Sequence, residues 1–227
     1  MSIPATHAEI EQIYLQNEIH GFRSICIVGC QSEEGVTSIA SALAERWILA
    51  GHKTLYVDLN LFKPAFTALN SSIQEGEGQL IIRQNMHQTL MGLPAPVQTS
   101  TQLAYRDPTM LSKALSQWLE EFDRVIIDTS PLLRLNKKNI PAQVIAGVCD
   151  ATILVASYGS TTTKQLEQAK SHLASCNANL TGAILNMKHT ESLQVELLNS
   201  LEETRFFPKR LKQYLCHYIK NSDLFTI

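Results

Sequence analysis

The sequence predicts an α/β fold, a doubly wound, mostly parallel sheet flanked by helices. Three observations carry this. Short apolar runs rich in β-branched residues alternate with segments of helical periodicity from residue 24 onward. One junction, over 24–49, passes from an apolar run through a polar loop containing glycine directly into a helical pattern. Two of the runs, KTLYV and FDRVIIDT, deliver an aspartate at their carboxyl ends, the edge at which open parallel sheets bind ligands.

Taken in order, residues 7–20 carry Ile10, Ile13, Tyr14 and Ile19 at spacings that suit a helix packed on the domain. A strand is expected over 24–29, a turn-like loop over 30–35, and a helix from Val36 to about residue 49, with Gly51 placed to end it in the left-handed region. The next strand, 53–57, leads to Asp58, and Asn60, Lys63 and Pro64 follow in the turn. From 65 to about 102 the pattern is least readable, with turns marked at 75–78 and 94–96; one short helix and one short strand are expected there. Residues 108–121 place Leu111, Leu115 and Leu119 on one helical face, and 122–129 is a buried strand closing on Asp128. No element is assigned over 130–150. Strands over 151–156 and 181–185 flank a helix over 162–175, so the crossovers are expected to be right-handed. Two helices follow, 191–206 and 209–220; Leu211, Tyr214, Leu215, Tyr218 and Ile219 form the apolar face of the second.

With 227 residues and 44% hydrophobic content the chain can bury a full core. A single domain over 1–227 is expected, with an N-terminal helix within 1–22 and a helical extension over 188–227. The net charge of −2 argues against nucleic acid as a partner. Five cysteines, with no C-x-x-C pair, suit a reduced cytoplasmic protein without zinc. The first residues lack a signal-peptide core, and no apolar run approaches the ~20 residues that span a bilayer.

The loop over 30–35 has the layout of a phosphate-binding loop, G-x-x-x-x-G-K-[ST]. Glu34, Gly35, Val36, Thr37 and Ser38 fall on its last positions, with Thr37 on the magnesium-binding hydroxyl. Cys30 stands where the first glycine belongs, and Val36 where the lysine that reaches the β- and γ-phosphates belongs. Losing one charge-assisted hydrogen bond costs about 1.5–3 kcal/mol, roughly ten- to a hundredfold in affinity. Catalysis suffers more, because phosphoryl transfer relies on neutralising charge that develops in the transition state. The helix N-terminus still favours an anion, while the Glu33 and Glu34 carboxylates, expected near the phosphate position, oppose it. The aspartate closing the run FDRVIID matches a Walker B carboxylate.

These pieces, in this order, make the chain resemble the cytoplasmic domain of the bacterial tyrosine kinases (BY-kinases) of capsule and exopolysaccharide systems, within the MinD/ParA group of P-loop proteins. The resemblance rests on EG-x-TS at 34–38, D-x-N-x-x-KP at 58–64, FDRVIIDTSP at 122–131, CDATILVASYGST at 149–161 and TGAILN at 181–186. It implies ATP or ADP with Mg²⁺ as cofactors, weakened here, with a loop that binds neither as the alternative. It implies a magnesium role for Thr37, Asp58 and Asp128, a catalytic role for Asp58 and Asp128, and an adenine contact for Asn186. Each residue type also serves plainer ends: threonine starts helices, and aspartate and asparagine cap them or close turns. Four features of active relatives are altered. The lysine is Val36 and a second aspartate is Asn60. An E-x-x-R-x-x-R ring motif is replaced by Glu11, Tyr14 and Asn17, and a C-terminal tyrosine cluster is reduced to Tyr214 and Tyr218.

The resemblance therefore implies a degenerate, pseudokinase-like protein. Its expected partner is a membrane-anchored polysaccharide co-polymerase or another envelope protein, which would hold it peripherally at the inner membrane. Homo-oligomers are allowed for, but not the arginine-motif ring. One alternative is a weak ATPase or autokinase in which Lys63, or less suitably Lys53, substitutes for the missing charge. Another is a MinD/ParA-type positioning protein using its last helix on a membrane; its signature lysine would fall at Ser32 or Glu33.

Overall fold

The computed structural model describes residues 3–66, 79–81, 90–134 and 139–187, and beyond these Leu201, Lys212, Leu215, Cys216 and Ile219. The chain divides into two units, Met1–Asn186 and Met187–Ile227. The described residues of the second unit from Leu201 onward are helical, and the rest of the two helices expected over 191–206 and 209–220 lies outside the described residues.

The first unit begins with helix α1 (Ala8–His20), strand β1 (Ser24–Gly29), helix α2 (Val36–Leu49) and strand β2 (Thr54–Leu59). Strands β3 (Gln79–Ile81) and β4 (Leu90–Leu93) and helix α3 (Thr99–Ala104) follow. Then come α4 (Pro108–Glu121), β5 (Arg124–Thr129), α5 (Ala142–Val148), β6 (Ala151–Ser157), α6 (Thr163–Ser175) and β7 (Leu180–Asn186). The sheet order is β3-β4-β2-β5-β1-β6-β7. Six strands run parallel and β3 pairs antiparallel at one edge, so the expected doubly wound, mostly parallel sheet is observed.

Alternation along each strand sends its side chains to two separate apolar layers. Ile25 and Ile27 of β1, Tyr56 of β2 and Ile126 of β5 pack with Ile39, Leu43 and Trp47 of α2 and Ile10 of α1. Cys26 and Val28, Leu55 and Val57, and Val125 and Ile127 point the other way, against Leu111, Leu115 and Trp118 of α4 and Ala146 of α5. Burial on both faces is why these strands read as continuous apolar runs rather than as alternating ones. Each buried Ile or Leu contributes about 1.5–3 kcal/mol, so the central strands fix the frame that carries the site.

Several boundaries differ from the sequence reading. Strand β2 extends through Asp58 and Leu59, so the aspartate is inside the sheet rather than beyond it. The segment 130–150 contains α5, whose seven residues are too few to show a period. Among the described residues the span 65–102 holds two strands and the start of α3, where one short helix and one short strand are expected; β3 and β4 have only three and four residues, too few to show a pattern. Gly51 does take the left-handed conformation, at φ 89°.

On α1, the three positions in the ring-motif frame are engaged within the chain. Glu11 forms an ion pair with Arg46 of α2, and the Arg46 guanidinium sits 3.8 Å from the centre of the Tyr14 ring. The Asn17 amide donates to the Ile13 carbonyl at 2.7 Å. Among the described residues no helix is long and apolar enough to cross a membrane.

Candidate functional site

Strand β1 runs into the loop Cys30–Gly35, and α2 springs from its end. Gly35 has φ 99°, and a Cβ there would collide with the Asn186 amide, so glycine is required on both counts. Glu33 is also left-handed, at φ 70°. No side chain caps α2, so no side-chain oxygen competes with an anion for the positive end of its dipole. Ser38 belongs to that first turn, its N–H bonded to the Gly35 carbonyl.

The loop is held from below by Glu34, which is 3% exposed. Its carboxylate accepts the Gln31 N–H at 2.9 Å and the Thr161 hydroxyl at 2.5 Å. Its backbone carbonyl accepts the Asn186 side-chain amide at 2.8 Å. Thr161 Oγ1 in turn accepts the Ser157 N–H at 2.8 Å. Glu34 thus ties the loop after β1 to the ends of β6 and β7. Together with burial, its charge pushes the Cys30 thiol up to about 11. The expectation that Glu34 opposes a phosphate directly is corrected, since its carboxylate is committed beneath the loop.

Glu33 points outward instead and meets the Lys63 ammonium at 3.1 Å, with both side chains about three-quarters exposed. Arg134, which the sequence reading did not single out, reaches the same loop. Its Nε donates to Gln31 Oε1 at 3.1 Å and its guanidinium lies 5.5 Å from the Phe62 ring centre. Lys53 is excluded as a substitute charge because it precedes β2, at the opposite edge of the sheet, with its ammonium 4.8 Å from the Phe122 ring centre. Val36 is half-buried and packs on the α2 layer. Its Cγ2 lies 2.8 Å from where a Cβ on Gly29 would stand.

Behind the loop, Asp58 and Asp128 are directly opposite each other across β2 and β5, and both are 0% exposed. Asp128 Oδ2 accepts the Thr37 hydroxyl at 2.6 Å and the Tyr56 hydroxyl at 2.8 Å. Asp58 accepts the N–H groups of Asn60 and Ala65 at 2.9 and 2.5 Å. Burial, then the Asp128 charge, pushes its carboxyl up to about 7, despite those N–H groups. Asn60, in place of a second acid, uses its Oδ1 to accept the Phe62 and Lys63 N–H groups at 3.2 and 3.1 Å and so shapes the turn.

The structure therefore brings Glu34, Gly35, Thr37, Ser38, Asp58, Asp128 and Asn186 together at the carboxyl edge of the sheet, with Val36 packed beside them and Lys63 at the rim. Among the described residues no group of three or more His, Cys, Asp or Glu could hold a metal. The set here is two carboxylates and a hydroxyl, all oxygen, which fits a hard cation that keeps several waters. Burial lifts Asp58 most, and the repulsion from Asp128 that adds to it is what such a cation would offset. Thr37, Asp58 and Asp128 would hold it, and the α2 N-terminus would face the phosphates of a nucleotide. Sequence reasoning missed Tyr56 and Thr161. The period-two alternation of a strand puts Tyr56 on the same face as Asp58, but nothing in the sequence marks its hydroxyl as a partner of Asp128.

No protein-family model matches the chain. It is similar to the tyrosine-protein kinase YwqD of Bacillus subtilis (strain 168), with 31% identity over 186 residues that span 74% of this chain and 76% of the relative. Among solved structures, the VpsO kinase domain aligns with a TM-score of 0.62 and 24% identity, over 80% of this chain and 92% of that one. A cobyrinic acid a,c-diamide synthase from Mycobacterium smegmatis with bound ADP and magnesium aligns with a TM-score of 0.58 and 14% identity, over 88% of this chain and 96% of that one. At these identities the two structures speak for the fold alone.

Proposed function

Because the chain belongs to the family of bacterial tyrosine-protein kinases, we propose that it is a degenerate, pseudokinase-like member whose retained fold serves as a partner or regulator in exopolysaccharide biosynthesis or export. It works at the cytoplasmic face of the inner membrane, held there by a membrane-anchored polysaccharide co-polymerase or another envelope protein. The observation that carries this reading is Val36. The position that should present an ammonium to the phosphates presents a branched apolar side chain packed over Gly29. Asn60 supports it, because its amide shapes the turn instead of adding a carboxylate to the metal set. Thr37, Asp58 and Asp128 keep a divalent-cation site, so ATP or ADP with Mg²⁺ binds weakly through the cation and the α2 N-terminus, with Asn186 beside the base.

Incubating the purified chain with ATP and Mg²⁺ and mapping phosphate by mass spectrometry tests the loss of kinase activity. The expected result is no phosphotyrosine, at Tyr214 and Tyr218 or elsewhere. Stoichiometric phosphate on either tyrosine after incubation with ATP alone would refute it.

A second reading, a weak ATPase or autokinase, is favoured by the two cations at the rim. Lys63 contacts Glu33 and Arg134 contacts Gln31, both residues of the phosphate loop. In that case Lys63→Ala would remove a measurable turnover that the pseudokinase reading does not contain.

A further inference from the structure

Strand β2 places Tyr56 two residues before Asp58 on the same face of the sheet, where its ring is tilted against Phe66 with centres 5.7 Å apart. The side chain is 1% exposed, so its hydroxyl needs a partner inside the protein. That partner is Asp128, through the same oxygen that takes the Thr37 hydroxyl. Two O–H donors on one carboxylate oxygen, approaching from β2 and from α2, fix the rotation of the carboxyl group and hence the direction of its other oxygen. Thr37 gives its one proton to Asp128, which leaves its lone pairs as what it can offer a cation. Carboxylates that hold metals are commonly oriented in this way by groups that never touch the ion.

We propose that Tyr56 is a positioning residue for a divalent cation at Thr37, Asp58 and Asp128: its hydroxyl holds the Asp128 carboxylate in the orientation that the cation requires. The inference rests on the reading that these three residues keep a cation site. It adds a group that lies in the strand rather than in either nucleotide motif. A phenol does this without adding charge to a pocket where two carboxylates already face each other, and it stiffens Asp128 where the chain has lost the lysine that would otherwise order the phosphate side.

The test uses Mn²⁺ alone as the probe and the full chain as wild type, Tyr56→Phe and Asp128→Asn. Free Mn²⁺ is followed by electron paramagnetic resonance, and melting is recorded with and without Mn²⁺. The expected result is saturable binding by the wild type, its loss in Asp128→Asn, and binding by Tyr56→Phe weakened about tenfold or more. The Mn²⁺-induced rise in melting temperature should shrink in parallel. Phenylalanine keeps the ring and its contact with Phe66, and the Mn²⁺-free melting curve reports whether each variant folds. If Tyr56→Phe melts lower without Mn²⁺ but binds it as tightly as the wild type, the hydroxyl is only structural and the inference is overturned while the cation site stands. If the wild type binds no Mn²⁺ at millimolar concentration, the cation reading and the inference fall together.

Discussion

Thr37 and Asp128, 91 residues apart in sequence, are joined by a hydrogen bond of 2.6 Å from hydroxyl to carboxylate. The bond fastens the first turn of α2 to the carboxyl end of β5 and so fixes the phosphate loop relative to the sheet. Removing it leaves a fully buried carboxylate short of a donor, at a cost of about 1–3 kcal/mol. Thr37→Val is expected to lose that much in urea unfolding, and Thr37→Ser to recover most of it. Equal stability of the Thr37→Val variant and the wild type would show that the bond does not hold the loop.

The clasp around Glu34 predicts a coupled loss. Glu34→Ala removes the acceptor for both Gln31 and Thr161, and Thr161→Val removes one donor from a buried carboxylate. Each is expected to cost about 1.5–3 kcal/mol, the range for hydrogen bonds to charged groups. The double variant should cost clearly less than the two single losses added together, because the residues share one interaction. Strict additivity in a denaturation cycle would mean that the two do not act on each other.

Asp58 makes the stability depend on pH. Its carboxyl is raised from an ordinary 3.8 to about 7, so between those values the folded chain holds a proton that the unfolded chain has released. The associated stability is fully present below about pH 4 and is lost as pH rises through about 7. The change is on the order of 2–4 kcal/mol. Urea unfolding at pH 5, 6, 7 and 8 should show stability declining across that range. In Asp58→Asn the decline should flatten, whatever that variant's baseline stability. A slope unchanged by the substitution would assign it to other groups.

The fold was legible because its central strands are buried on both faces and so read as apolar runs, while α2, α4 and α6 are long enough to show their period. Short elements hide that signal: α5 has seven residues, β3 three and β4 four. In the site, Gly35, Thr37 and Asp128 were legible because motif spacing fixes them, and Asp58 because it closes a strand pattern. Tyr56 was not, since a tyrosine in an apolar run looks like core until the carboxylate under its hydroxyl is known. Arg134 and Thr161 reach the loop only through the parallel order β5-β1-β6, which brings their strand ends beside it. The Glu34 carboxylate was misread for a related reason: its place in the motif suggests the phosphate side, whereas the left-handed Glu33 and Gly35 on either side of it accompany a side chain turned beneath the loop.

The most direct test of the account is a calorimetric titration of ATP and ADP with Mg²⁺ into the wild type and Val36→Lys, with a melting curve of each beside it. The missing ammonium is worth about 1.5–3 kcal/mol, so the lysine variant should bind ATP about ten- to a hundredfold more tightly than a weakly binding wild type. Its fold should be intact, with Thr37, Asp58 and Asp128 still in place. Saturable micromolar binding with turnover by the wild type, unimproved by the lysine in a stably folded variant, would contradict the account, because the charge lost at Val36 would then have been replaced elsewhere.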